Sequence, residues 1–126
     1  MNIPFSISNE SERDIGFKTI ILKSCNGFLG AMIPVAKKLD LKEMRHIFSC
    51  KTLNMASRSE VKELTGFEAG GVCPLFAAYI IIADKSILNF KKVSVGSGSI
   101  YYDITLNTED VIRLSNCKII SLPLQS

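Results

Sequence analysis

The stretch TGFEAGGVCP, residues 65–74, has the composition of a loop that could do chemistry through its main chain. Gly70 and Gly71 allow a positive φ and a close approach of the backbone to a ligand, and Pro74 fixes the path by which the chain leaves the loop. Such a loop could direct N–H and C=O groups into a pocket. The pattern also fits a tight connection between a helix and a strand. It is neither a dinucleotide fingerprint nor a P-loop, because it leads from a helix into a strand and contains no Gly-Lys-Ser/Thr.

Two side chains could add chemistry to this loop. Lys18 lies between Phe17 and Thr19 near the start of an apolar strand. It fits either a solvated strand end or a ligand for phosphate or carboxylate at the rim of a pocket. Cys73 lies inside the loop, and a nucleophilic cysteine needs a base or a lowered pKa. Because His46 is predicted on a helix without an evident link to the loop, Cys73 fits a small pocket-lining residue better than a nucleophile.

The composition predicts one compact domain. The chain has 126 residues, of which 47% are hydrophobic, and a net charge of +3 from 15 basic and 12 acidic residues. This weak positive charge permits contact with a polyanion but is not typical of a dedicated DNA-binding protein, so we expect no DNA partner. We expect residues 1–14, which contain SNESERD, to form a polar N-terminal segment and residues 15–126 to form the domain.

The sequence offers few metal ligands and no long apolar segment. His46 is the single histidine, and no two cysteines have metal-ligand or redox spacing, so we expect neither a metal nor another cofactor. The longest apolar run, residues 74–83, is about half of the ~20 residues that a membrane helix needs, and no secretory signal is recognisable. We expect a cytoplasmic protein without a membrane partner. The four cysteines expected to be free thiols are Cys25, Cys50, Cys73 and Cys117.

Hydrophobic periodicity and capping signals predict a mixture of strands and helices. Two apolar strands flank an Asn-Gly turn at 26–27 and suggest a hairpin. Asp40 and Ser57 each precede a glutamate by three residues, which is the capping-box spacing at a helix start, and Gly66 ends the second helix. Asn107 or Thr108 is expected to cap a last helix that runs through Leu114. The predicted strands are 17–23, 28–35, 51–56, 77–84, 91–96, 100–106 and 118–122.

These elements predict an α/β (α+β) fold, with a mixed, barrel-like β-sheet flanked by helices. The segment 77–84 is expected to be a fully buried strand because its apolar residues do not alternate with polar ones. The first helix is expected to bury one face, formed by Leu41, Met44, Ile47 and Phe48.

Taken in chain order, these segments resemble the YbaK-like family of editing domains associated with prolyl-tRNA synthetase. The most specific similarity is in TGFEAGGVCPL, residues 65–75. The others are FKT (17–19), LDLKE (39–43), NMAS (54–57), IIADKSIL (81–88), VSVGSG (93–98) and LNTEDVIRL (106–114). The resemblance implies a barrel-like mixed sheet flanked by helices. It also implies a free-standing aminoacyl-tRNA deacylase, which hydrolyses the ester of mischarged tRNA without a metal.

The resemblance also implies roles for individual residues. Lys18 would engage the terminal adenosine of the tRNA or its phosphate. The loop from Gly70 to Pro74, including Gly71, would hold the aminoacyl group and help to place the attacking water. The acceptor end of a mischarged tRNA is the implied substrate, and an aminoacyl-tRNA synthetase is a further implied partner. The residues expected to line the pocket are Ala56, Ser57, Phe67, Val72, Cys73 and Pro74.

Two other hypotheses remain open at the level of sequence. The chain reads Ser99-Ile100-Tyr101 where relatives often carry Lys-Arg-Gly, which favours a module that binds an aminoacyl-tRNA or a synthetase without hydrolysing anything. A cysteine-dependent hydrolase that uses Cys73 is the third hypothesis.

Overall fold

The computed structural model describes residues 15–126 and, by its backbone, the short segment 5–8. This part of the chain forms ten strands, three α-helices and a 3-10 helix at Lys85–Asn89. The α-helices are α1 (Leu41–Ile47), α2 (Arg58–Thr65) and α3 (Thr108–Ser115). The strands are β1 (Phe5–Ser8), β2 (Phe17–Ser24), β3 (Gly27–Pro34), β4 (Lys38–Leu39), β5 (Asn54–Met55), β6 (Ile80–Asp84), β7 (Lys92–Gly96), β8 (Asp103–Asn107), β9 (Lys118–Ile120) and β10 (Leu124–Gln125).

A five-stranded mixed sheet forms the centre of the fold, with the strand order β5-β2-β3-β6-β9. The hairpin predicted for the first two long strands is confirmed, since β2 and β3 pair antiparallel from Phe17 opposite Pro34 to Ser24 opposite Gly27. Gly27 has a φ of 111°, as the predicted Asn-Gly turn requires. Strand β6 pairs in parallel with both β3 and β9, which makes the sheet mixed.

A second, antiparallel sheet has the order β1-β8-β7 and lies against the first. A parallel bridge between Gly16 and Ser94 joins it to the start of β2. The two sheets and α3 enclose the main core, in which Phe17, Val93 and Val111 are almost fully buried. The predicted fold class is therefore confirmed: a mixed, barrel-like sheet flanked by helices.

The predicted helix starts are confirmed by the caps. The carboxylate of Asp40 accepts a hydrogen bond from the Glu43 amide at 3.1 Å. Ser57 and Glu60 form a complete capping box at the start of α2, and Gly66 ends that helix in the left-handed conformation with a φ of 79°. None of the helices in the described ranges is long and apolar enough to cross a membrane.

The prediction that α1 buries one face is wrong for the last two residues of that face. Met44 is fully buried, but Ile47 and Phe48 are exposed over 53% and 39% of their surface. The helix ends at Ile47, and Phe48 is already its C-cap residue. The apolar spacing therefore predicted the burial of Met44 correctly and the burial of Ile47 and Phe48 incorrectly.

Several strands are shorter than predicted, and others have no local signal. Only Asn54–Met55 of the segment 51–56 forms a strand, and the expected strand at 100–106 begins at Asp103. Strands β4 and β10 pair with each other across the length of the chain, which no local pattern indicates. Strand β1, which pairs with β8, lies in the segment expected to be a polar N-terminal segment; residues 1–4 and 9–14 of that segment lie outside the described residues.

The prediction of four free thiols is wrong for two cysteines. Cys25, at the turn after β2, and Cys50, after α1, are joined as a disulfide with their Cα atoms 6.1 Å apart. The two residues are 25 positions apart and carry no spacing motif, so only the tertiary fold brings them together. Cys73 and Cys117 are free thiols, as expected.

Candidate functional site

A cleft of about 660 Å³ opens where the start of β2 meets the second sheet. Residues 16–21 line it, and so do the turn and strand residues 100–103. The loop positions Ala69, Gly70 and Val72 also belong to its lining. The volume is in the range of small-molecule binding sites in proteins.

The structure brings four of the predicted site residues to this cleft: Lys18, Ala56, Gly70 and Val72. Lys18 is the second residue of β2, opposite Ile33 of β3. Ala56 is held beside the same strand because its amide donates a 2.9 Å hydrogen bond to the carbonyl of Ile21. The lysine and the glycine loop, which are about fifty positions apart in the sequence, therefore share one cleft.

The other predicted site residues do not line the cleft but support its walls. Ser57 caps α2, and its hydroxyl oxygen accepts a hydrogen bond from the Glu60 amide at 3.2 Å. Phe67 packs under Gly98 in the turn between β7 and β8, where an added Cβ would lie 2.9 Å from its ring. Pro74 is fully buried and Cys73 is half-buried. Neither side chain contributes to the lining of the cleft.

Gly71 contacts protein rather than the cleft. Neither Gly70 nor Gly71 has a positive φ, so the conformational freedom expected from the sequence is not used at these positions. A Cβ on Gly71 would lie 2.8 Å from the carbonyl carbon and oxygen of Ser99, so the close approach that Gly71 permits is to the backbone of the next turn. Its amide donates to the carbonyl of Glu68 at 2.9 Å. Gly70 and Val72 are the loop positions that face the cleft.

Lys18 is a partly buried cation. Partial burial lowers the pKa of its ammonium group, and the positive charge of Lys38 lowers it further. Within the described residues, no carboxylate forms an ion pair with Lys18. An ammonium group without a partner at the wall of a cleft is suited to bind an anionic group of a ligand.

Asp103 is a functional candidate that the sequence analysis missed. It is the first residue of β8, opposite Gly96 of β7, and its side chain lines the same cleft as Lys18. Burial raises the pKa of its carboxyl group. Among the described residues that line the cleft, Lys18 and Asp103 are the charged ones. No local motif marks this aspartate, since only the pairing of β8 with β7 turns it towards the cleft.

The third hypothesis, a nucleophilic Cys73, is not supported by the surroundings of that residue. Burial raises the pKa of its thiol, which reduces the fraction of reactive thiolate. Its neighbour Tyr79 has a pKa raised to about 12, first by burial and then by the thiol. His46, the single histidine, lies on α1 and is not among the residues that line the cleft. The described side chains that line the cleft therefore include no histidine that could act as a base for Cys73.

Two further hydroxyl groups lie in the protein interior beside the cleft. The side-chain oxygens of Thr19 and Tyr79 are buried and have no hydrogen-bond partner within the described part of the chain. Both side chains pack against Gly30, where an added Cβ would lie 3.1 Å from the Tyr79 ring and 3.2 Å from the Thr19 methyl group. Thr19 also contributes to the wall of the cleft. Residues 15–126 and 5–8 contain no group of three or more His, Cys, Asp or Glu residues that could hold a metal ion.

The fold and the cleft define an α/β domain in which a lysine and an aspartate line one cavity. Residues 8–114 match the family model of the aminoacyl-tRNA editing domain, and the chain belongs to that family. The resemblance seen in the sequence is thereby confirmed.

Two individual relatives are consistent with membership of this family. A proline–tRNA ligase of Lactobacillus delbrueckii subsp. bulgaricus is 35% identical over 69 residues, which are 53% of this chain and 12% of the ligase. The uncharacterized protein YwhH of Bacillus subtilis is 36% identical over 84 residues. That match covers 65% of this chain and 53% of YwhH, so the chain spans about half the length of this relative and a small part of the ligase.

A crystal structure of a candidate trans-editing enzyme for prolyl tRNA synthetase has the same fold. It superimposes with a TM-score of 0.81 over 96% of this chain and 86% of its own, at 19% sequence identity. At this identity the similarity supports the architecture, including the mixed sheet and its flanking helices.

Proposed function

We propose that this chain is a free-standing deacylase that hydrolyses the ester of mischarged tRNA. Lys18 holds the phosphate or adenosine at the acceptor end, and the loop from Gly70 to Pro74 binds the aminoacyl group and orients the attacking water. Residues 15–126 form the editing domain, which acts in the cytoplasm, where tRNA is charged. An aminoacyl-tRNA synthetase that charges the tRNA wrongly is the expected partner, as the similarity to proline–tRNA ligase suggests.

The observation that carries this proposal is the pair of charges in the cleft. A cation, Lys18, and an anion, Asp103, line the same cavity, and no ion pair within the described residues engages either side chain. An aminoacyl-tRNA end carries the complementary charges, a phosphate on the nucleotide and an α-ammonium on the amino acid. We therefore assign Asp103 to the α-ammonium and Lys18 to the anionic side of the nucleotide.

The hydrolysis needs positioning more than a strong catalytic base. The water oxygen bonds to the ester carbonyl carbon, and the bond from that carbon to the ribose oxygen breaks. One water proton passes to the ribose oxygen, and the other is released as the amino acid ionises. Because an ester is already reactive, a held substrate and oriented backbone dipoles at Gly70 and Val72 supply much of the acceleration.

A separate editing reaction has a physical reason. The active site of a synthetase discriminates between side chains that differ by one methylene by only ~1–3 kcal/mol, so a second site must remove the errors. A cleft with apolar walls at Ala56, Val61 and Val72 is suited to a small aliphatic side chain.

The test is deacylation of a panel of mischarged tRNAs by the wild type, Lys18→Ala and Lys23→Ala. Lys23 is the matched control: it lies on the same strand, pairs with Glu60 at 2.8 Å and is not part of the cleft. Loss of a charged contact to the substrate should slow Lys18→Ala about 10- to 100-fold, while Lys23→Ala stays close to the wild type. The proposal fails if the wild type is no faster than buffer on every member of the panel.

The same panel separates the second function, a module that binds without hydrolysing. Ser99 and Ile100 occupy the positions where relatives often carry a basic pair, and the apolar Ile100, which lines the cleft, favours this second function. A wild type that binds aminoacyl-tRNA through Lys18 but leaves every ester intact would establish the binding module in place of the deacylase.

A further inference from the structure

The mouth of the cleft is unusually apolar for a charged site. Ten large hydrophobic side chains in the described part of the chain are exposed, and five of them line this one cleft: Val35, Met55, Ile100, Tyr101 and Tyr102. Exposed apolar side chains that gather around a cavity mark a binding surface, whereas scattered ones need no explanation.

The two tyrosines are the most prominent members of this group. Tyr101 is 85% exposed and Tyr102 is 50% exposed, and both line the same cleft as Lys18. Within the described residues, the only aromatic ring pair is Phe17 with Phe90, so neither tyrosine ring stacks on another ring. Their rings are available to a ligand.

The backbone beneath the tyrosines is held in place. The hydroxyl of Ser97 donates a 2.6 Å hydrogen bond to the carbonyl of Tyr102, and the Tyr101 amide donates to the hydroxyl of Ser99 at 3.1 Å. Gly98, with a φ of 98°, rests on Phe67 and donates to the carbonyl of Gly71 at 2.8 Å. A fixed backbone reduces the entropy lost when the rings order around a ligand.

We propose that Tyr101 and Tyr102 form a stacking platform for the unpaired bases at the 3′ end of the tRNA. This inference rests on the proposed function, because it takes the acceptor end as the ligand of the cleft. Proteins recognise single-stranded RNA by stacking bases on aromatic side chains beside a positively charged groove. Lys18 supplies the positive charge in this cleft, and the tyrosines supply aromatic faces that line the same cleft.

The test uses the full chain and an uncharged RNA hairpin with a four-nucleotide unpaired 3′ end, labelled at its 5′ end. Binding is followed by fluorescence anisotropy. A second hairpin has abasic sugars at the four unpaired positions and keeps the phosphates. The protein variants are Tyr101→Ala, Tyr102→Ala and the conservative Tyr101→Phe and Tyr102→Phe. Phe48→Ala is the control, since Phe48 is an exposed aromatic residue outside the cleft.

Each alanine variant should bind the normal hairpin about 5- to 150-fold more weakly, the loss that corresponds to stacking one base. The phenylalanine variants and Phe48→Ala should bind like the wild type. On the abasic hairpin, the alanine substitutions should have no further effect.

The inference is overturned if the alanine variants bind the normal hairpin as tightly as the wild type does. It is equally overturned if the alanine substitutions weaken binding of the abasic hairpin as much as they weaken binding of the normal hairpin. It is also overturned if the wild type does not bind the hairpin, or if the tyrosine variants keep RNA affinity but lose binding to prolyl-tRNA synthetase. That last result would identify a protein-docking surface. A wild type that binds through both tyrosines and hydrolyses no ester would overturn the proposed function alone.

Discussion

The amide of Gly98 donates a 2.8 Å hydrogen bond to the carbonyl of Gly71. This bond joins the glycine-rich loop to the turn between β7 and β8, so the two segments that form adjacent walls of the cleft are held together by their main chains. Packing is so close that a Cβ on Gly96 would lie 2.1 Å from the carbonyl oxygen of Val72. Gly71 and Gly96 therefore permit the close packing that fixes the shape of the cleft.

Gly71→Ala should destabilise the protein, and Gly70→Ala should not. The new methyl group on Gly71 would lie 2.8 Å from the Ser99 backbone, and a backbone shift to relieve such a contact costs about 1–3 kcal/mol. A methyl group on Gly70 would meet only Ile100, at 3.8 Å, and Gly70 has no positive φ. Denaturant unfolding of both variants provides the comparison. Equal midpoints for the two variants would contradict this account of the loop.

Cys73→Ser should retain most of the deacylase activity. The thiol does not line the cleft, and burial raises its pKa, so it is a poor nucleophile at neutral pH. Rates on the most rapidly hydrolysed mischarged tRNA are compared for Cys73→Ser and for Cys117→Ser, the other free cysteine. A loss of more than about 100-fold in Cys73→Ser alone would instead support the cysteine-dependent hydrolase.

Local signals in the sequence were sufficient to predict most helices and strands, but they did not predict which strands pair. The Asn-Gly turn before Phe28 and the capping residue Ser57 act within a few residues, and the structure has the hairpin and the helix that they predict. The pairing of Leu39 with Leu124 depends on contacts across the whole chain. The exposed Phe48 shows the same limit, because the spacing of apolar residues does not reveal where a helix ends.

The candidate site was also predictable only in part, where local sequence motifs mark its residues. Lys18 and Gly70 come from the stretches that carry the family resemblance, and both reach the cleft. Asp103 comes from the first position of a strand without a motif, and the register of β8 against β7 decides where it points. Sequence spacing also could not distinguish Gly70, which faces the cleft, from Gly71, which packs on Ser99.

Ser57→Ala should cost more stability than Asn107→Ala, although both residues are helix N-caps. The Ser57 hydroxyl accepts from the Glu60 amide, and the Ser57 amide donates to the Glu60 carboxylate at 2.9 Å. Loss of such a cap costs about 1 kcal/mol. The side chain of Asn107 makes no capping hydrogen bond at the start of α3, so its removal should cost a few tenths of a kcal/mol at most. Thermal unfolding of the two variants gives the order, and a reversed order would refute the assignment.

Asp103→Asn should weaken binding of aminoacylated tRNA and leave the affinity for uncharged tRNA unchanged. The assigned partner of the carboxylate, the α-ammonium, is present only in the charged substrate. Because burial raises the pKa of Asp103, its charge is lost at a higher pH than that of an ordinary aspartate. The KM of the wild type should therefore rise as the pH falls through this pKa, and the KM of Asp103→Asn should not follow it. Parallel pH profiles for the two proteins would remove Asp103 from the site.

Asp103→Asn should also make the folded protein more stable at neutral pH. The native state binds the proton of Asp103 more tightly than the unfolded state, because the pKa is raised on folding. Below the unfolded pKa the carboxyl is neutral in both states and costs nothing. As the pH rises through the native pKa, the wild type loses stability and the amide variant does not. The melting temperature of Asp103→Asn should therefore exceed that of the wild type by an amount that grows as the pH is raised from 3 to 8. Asp110→Asn, which removes an exposed ion pair with Arg113 at 3.1 Å, should show no such gain. If Asp103→Asn melts below the wild type at neutral pH, the carboxylate is a structural group and not one held unpaired for a ligand.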